Sequence, residues 1–278
     1  MRVLHARRVL AADQRGSSWP GLIATEDEDA RARQFTKLRG AAQGTGALVA
    51  EVIVAELAES LGLRVPTRAL VHLRPTVESL DENDELADLL RASAGVNLGF
   101  AYLEDAISFA PATDVTRVDE EAAAAILWLD GLVSNPDRTA RNPNLLWQDE
   151  ALWLIDHGAA LGFQYALPEV DVAAARRPYA LREPHLLQGR VSDLATVDAG
   201  LAQRLTPQVV ARAVAEVPDE FLAPLLAGDG AETIASRRAV YVDYLTRRLE
   251  APRPFLRPEA TPNEQRRRGR PAWIGRSR

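Results

Sequence analysis

The stretch from Asp119 to Gly158 constrains this chain more than any other. Asp119 is placed to cap a helix running to about Val133, with Glu120 and Glu121 in its first turn. A polar loop follows, Asn135-Pro136-Asp137-Arg138-Thr139-Ala140-Arg141-Asn142-Pro143-Asn144. It gathers one carboxylate and three carboxamides, and its two prolines restrict the backbone. Asn144–Trp147 and Leu152–Ile155 then read as two short apolar strands joined by a turn at Gln148-Asp149-Glu150. The second strand ends in Asp156, with Gly158 two residues on to let the backbone turn sharply.

Phosphoryl transfer needs a carboxylate to orient the attacking hydroxyl and oxygen ligands for magnesium. Asp137 and Asn142, five residues apart, supply both from one loop. Alone, the loop reads more readily as an Asx-rich turn, because Asn, Pro and Asp are common turn residues. The hairpin ending in Asp156 shifts that balance, since loop and hairpin together are far more specific than either part.

The chain has 33 basic residues, and only one of them is lysine: Lys37. Lysine is a compact point charge on a flexible stem, whereas arginine is a bulky planar fork, so some sites accept only lysine. Lys37 lies in a short alternating segment, Gln34–Leu38, which reads as a strand. The helix expected over Gly46–Leu61 carries Glu51 among Val49, Ala50, Val52 and Ile53. A carboxylate there is costly unless it is partnered. Glu51 is therefore preferred to Glu56 as the partner of Lys37. An exposed stripe on an amphipathic helix is the alternative for Glu51.

Two segments are candidates for a phosphate-covering loop. Gly16-Ser17-Ser18 lies between the first two expected strands, Val3–Leu10 and Gly21–Thr25, and its backbone N–H groups suit an anion. Arg39–Gly46 is glycine-rich and leads into the Glu51 helix. Elsewhere, Glu26-Asp27-Glu28-Asp29 is expected in a turn, Val65–Leu73 as a strand, Ser79–Ala92 as an exposed acidic helix and Ala94–Tyr102 as a connector. Helices are expected from Pro207 to about Val217 and over Ala231–Leu249.

With these residues in place, the chain resembles the HipA-like kinase family. The likeness rests on Phe35–Leu63, Asn97–Leu103 and Leu132–Phe163, above all on the Asn135–Leu146 loop and on Leu154-Ile155-Asp156-His157-Gly158-Ala159-Ala160-Leu161. It implies an α+β, two-lobed, protein-kinase-like fold, with ATP and Mg2+ as cofactors and transfer of the γ-phosphoryl group to a hydroxyl. By the same resemblance, Asp137 orients the acceptor, Asn142 and Asp156 bind magnesium, and Lys37 contacts ATP phosphates. Compared with ordinary protein kinases, Asn-Pro-Asp stands for His-Arg-Asp and Asp-His-Gly for Asp-Phe-Gly, and no Ala-Pro-Glu segment follows Gly158.

The expected organisation is a strand-rich lobe over 1–96, a mainly helical lobe over 97–250 and a basic, Pro-rich tail over 251–278. The tail holds eight Arg against two Glu and reads as disordered or loosely docked. It could make weak, salt-sensitive contacts with nucleic acid, but the acidic remainder of the chain opposes them, so direct nucleic-acid binding is not expected. The expected acceptor is Ser/Thr of a protein. A small-molecule kinase and a nucleotide-binding pseudokinase are the alternatives. The absence of cysteine excludes disulfides and thiolate metal sites. Charges at Arg2, Arg7, Arg8, Asp13 and Arg15 argue against a signal peptide, and no apolar run of membrane-spanning length occurs, so a cytoplasmic protein is expected.

Overall fold

The computed structural model describes residues 1–12, 20–26, 31–81, 83–167, 172–226, 232–256 and 259–260. The fold is mixed α+β. Its first part is a sheet of β1 (Arg2–Ala12), β2 (Gly21–Glu26), β3 (Arg31–Lys37), β4 (Arg68–Leu73), β5 (Glu78–Ser79) and β6 (Gly95–Ala101). The spatial order is β2-β3-β6-β4-β1-β5. Strand β1 pairs in parallel with β4 over Arg2–His5 and antiparallel with β2 over His5–Ala12, so the pairing closes on itself.

Residues 95–101 are not a connector. They form β6, paired with both β3 and β4. Val96, Leu98 and Phe100 supply the period-two apolar pattern of a strand. The glycines that suggested a linker have separate tasks. Gly95 takes φ +107 at the entry, and Gly99 allows close approach: a Cβ there would lie 2.6 Å from Val71 Cγ2 and 3.2 Å from Gln34 Cβ. Gly99→Ala should therefore cost about 1–3 kcal/mol by overpacking, seen as a lower Tm. A boundary between residues 96 and 97 would cut β6, so residues 97–101 belong with the sheet.

The two faces of the sheet are covered differently. Helix α1 (Gly44–Ser60) is buried along most of its length and shares a core with Leu98 and Phe100 of β6. Helix α2 (Asp84–Ala92) covers the other face with Leu86 and Leu90, against Val9, Ile23, Val71 and Leu73. The expectation of an exposed acidic helix thus holds for only one side of α2. Asn83 caps it through its side chain, while Ser79, the first residue of the expected helix, is strand together with Glu78.

After β7 (Ile107–Ser108) and the short α3 (Pro111–Asp114) comes α4 (Glu120–Leu132), capped by Asp119. Strands β8 (Leu145–Gln148) and β9 (Ala151–Leu154) form the expected hairpin. Asp149 and Glu150, both at positive φ, make its turn. The remaining helices are α5 (Val172–Ala175), α6 (Ala195–Arg204), α7 (Pro207–Ala215, capped by Thr206), α8 (Asp219–Leu222) and α9 (Ile234–Leu249). α1 packs against α4, α7 and α8, which joins the sheet-bearing part to the helical part in one core.

The start of the expected tail is anchored. Phe255 is buried edge-on against Trp128 and close to Gly131, and Arg253 pairs with Asp198. Among the described residues, no helix is long and apolar enough to cross a membrane.

Candidate active site

Lys37 is the last residue of β3, and its Nζ donates both to Glu51 Oε1 of α1 and to Asp156 Oδ1, the latter at 2.5 Å. The Lys37 side chain is 7% exposed, Glu51 is wholly buried, and Asp156 is 40% exposed. Burial opposes both charges of the Lys37–Glu51 pair. The attraction between them outweighs it, so the ammonium is held above its usual range and the carboxyl below. Glu56, the rival partner, turns away and shares Arg68 with Glu59.

Asp137 lies beside Asp156. Its carboxyl is pushed up first by burial and second by the negative charge of Asp156. Asn142 Nδ2 donates to Asp137 Oδ2 at 2.8 Å, and the Asp137 backbone N–H donates to Asn135 Oδ1 at 3.1 Å. Asn144 serves the loop: its Nδ2 reaches the Asp156 carbonyl at 3.3 Å, and its own φ is +50. The site thus joins Lys37, Glu51, Asp137, Asn142 and Asp156, residues drawn from a strand, a helix and two loops.

The sharp turn after β9 is made by Asp156 itself, at φ +55, rather than by Gly158. Asp is one of the few residues that enter this region readily, and from here its carboxylate accepts from Lys37. Gly158 allows close packing instead. A Cβ there would meet Ala47 Cβ at 3.3 Å and Glu51 Oε1 at 3.4 Å.

Of the two phosphate-loop candidates, Gly16, Ser17 and Ser18 lie outside the described residues. In the other, the N–H groups of Arg39 and Gly40 are already used by Asn97 Oδ1 and Ser93 Oγ. Gly44 takes φ +65 as the chain enters α1, whose first turn carries neither an acidic residue nor a side-chain cap.

A model of the HipA-like kinase family matches residues 10–171. The chain belongs to the HipA-like kinase family. Among solved structures, a Helicobacter pylori proinflammatory kinase, CtkA, is similar at 12% identity, with 86% of this chain and 95% of that chain covered and a TM-score of 0.46. No curated protein matches.

Beneath the loop of this HipA-like kinase lies a second charged cluster that the sequence reading missed. Asp130, fully buried in α4, accepts from Arg138 Nε at 2.6 Å and Asn135 Nδ2 at 2.9 Å, and its Oδ2 contacts His185 Nε2 at 2.9 Å. Arg138 Nη1 donates on to the Asn144 carbonyl at 2.6 Å. The Tyr179 hydroxyl donates to the Asn135 carbonyl. Asp137 and Asn142 thus sit on a loop pinned from below by buried charge.

Among the described residues, no cluster of three or more His, Cys, Asp or Glu forms a metal site. The donor set nevertheless fits a hard, oxygen-seeking cation such as magnesium. Burial and then the nearby charge of Asp156 push the Asp137 carboxyl up, so the two carboxylates lie close together, and Asn142 adds an amide oxygen.

Proposed function

We propose that this chain binds ATP with Mg2+ between its sheet and its helical part, and transfers the γ-phosphoryl group to a hydroxyl, that of Ser/Thr in a protein. The lobes then run to the end of β6 and from the following connector to α9. The observation that carries this reading is the single lysine, hydrogen-bonded at once to Glu51 and Asp156 with Asp137 alongside.

The geometry supports a role for each residue. Lys37, fixed by Glu51, presents its ammonium to the α- and β-phosphates. Phe35 lies two residues before Lys37 on the same face of β3, opposite Leu22 and Phe100, and is 38% exposed; its ring is offered to the adenine. Asp137, steadied by Asn142, accepts a hydrogen bond from the acceptor hydroxyl and aims its oxygen. Asp156 and Asn142 would hold magnesium, which supplies charge neutralisation at the phosphates when bound. Catalysis is then positioning and electrostatics, with no covalent intermediate on the protein.

The direct test is thermal unfolding with ATP, with and without magnesium. Saturation at about 100 times Kd should stabilise the fold by about 2.7 kcal/mol. Asp156→Asn should remove the magnesium-dependent part of that gain. Unchanged Tm under all conditions would rule the reading out. Stabilisation without phosphoryl transfer would point to a binding-only role.

A further inference from the structure

The residue between Asp156 and Gly158 is His157, and the mechanism above gives it no task. Its side chain is wholly buried, yet neither ring nitrogen has a hydrogen-bond partner. Glu51 beside it is also wholly buried. Its Oε1 accepts from Lys37 and, at 2.9 Å, from the His157 backbone N–H. Its Oε2 has no hydrogen-bond partner and lies 3.4 Å from His157 Nδ1. Three unsatisfied polar atoms therefore share one pocket. A shift of a few tenths of an ångström would bring Nδ1 and Oε2 to ordinary hydrogen-bond length.

We propose that His157 is a positioning residue for the Lys37–Glu51 pair: its Nδ1–H donates to Glu51 Oε2 and holds that carboxylate in place while Lys37 turns toward phosphate. The proposal rests on the kinase reading. Lys37 is divided between Glu51 and Asp156, and nucleotide phosphates compete for the same ammonium. Whatever Lys37 withdraws leaves Glu51 short of a partner where water cannot replace it. Backbone and ring of His157 offer two donors from one residue, one to each carboxylate oxygen. Both come from the loop that carries Asp156, so α1 and that loop move as a unit. The small Gly158 lets them approach. A phenylalanine would fill much of the same space and offer no donor. The bond requires only a proton on Nδ1, facing Glu51 Oε2.

The amide nitrogen of asparagine can stand where Nδ1 stands, while that of glutamine reaches the Nε2 position. His157→Asn should therefore keep the ATP KM near that of the parent, whereas His157→Gln and His157→Phe should raise it by about tenfold, the worth of one hydrogen bond to a charged group. Retained KM in the Phe variant together with a raised KM in the Asn variant would show that His157 only fills space, and would overturn the proposal. A second readout needs no turnover. The chain has four histidines, His5, His72, His157 and His185, so 15N resonances of labelled protein can be assigned by substitution. The Nδ1–H tautomer at His157 supports the proposal, and the Nε2–H tautomer refutes it. If the parent protein neither binds nor turns over Mg-ATP, the kinase reading falls by itself, and the tautomer still decides the His157–Glu51 bond.

Discussion

Asp137→Asn is expected to slow phosphoryl transfer by about 10²–10⁴-fold while leaving the affinity for Mg-ATP largely unchanged. The side chain keeps its size, and Asn142 still has an amide oxygen to donate to. What disappears is the negative charge that accepts the hydrogen bond of the attacking hydroxyl. That charge is already costly at this position, because burial and then Asp156 both push the Asp137 carboxyl up. A carboxylate held there against two opposing effects is a stronger base than a solvated one. In the proposed reaction nucleotide binding rests instead on Lys37 and Asp156, neither of which hydrogen-bonds Asp137. A matched pair of measurements, single-turnover transfer and calorimetric Mg-ATP binding, separates the two effects. Transfer at the parent rate would remove Asp137 from the chemistry. Loss of binding in parallel would make it a structural residue.

The site was legible wherever one residue type stood out against its neighbours. A sole lysine and a carboxylate inside an apolar helix each demanded an explanation, and they explained one another. The same signal was present at Asp130, flanked by Ile126, Leu127, Leu129, Leu132 and Val133. Its partners, however, are Arg138 in the catalytic-loop candidate and His185, which is 55 residues downstream of it. Nothing local announces His185. The parallel pairing of β1 with β4 is similarly silent, since it joins segments more than 60 residues apart that share no turn. Strand β6 was hidden for another reason. Its glycines are there for a positive φ and for a close approach, and glycine reads as a linker unless the apolar alternation between glycines is weighed first. In α2, Leu86 and Leu90 are an i, i+4 pair that marks a buried stripe, but the acidic residues around them dominated the reading.

Arg138→Leu should destabilise the fold by about 3–5 kcal/mol, the range for stranding one member of a buried ion pair. Against a typical total of about 5–15 kcal/mol, that is a large fraction. Burial alone would push the Asp130 carboxyl up; Arg138 chiefly, with His185, brings it well below the usual carboxylate range. A carboxyl depressed in the folded state stabilises the protein fully above its unfolded value, about 3.9, and the contribution fades as pH falls below that. Without Arg138 the desolvated carboxyl should move upward, so the substitution should cost less at pH 5 than at pH 7. Urea unfolding at the two pH values checks both the size and the sign. Asp130→Leu combined with Arg138→Leu should recover part of the loss by removing both charges. Recovery stays incomplete because Asn135 Nδ2, His185 Nε2 and the Asn144 carbonyl each lose a partner. The last of these matters for activity as well as stability. Arg138 links α4 to the segment between Asn142 and the hairpin, so the double variant should remain folded while transferring phosphate slowly. Equal stability of Arg138→Leu and the parent at pH 7 would show that the buried pair does not hold the loop.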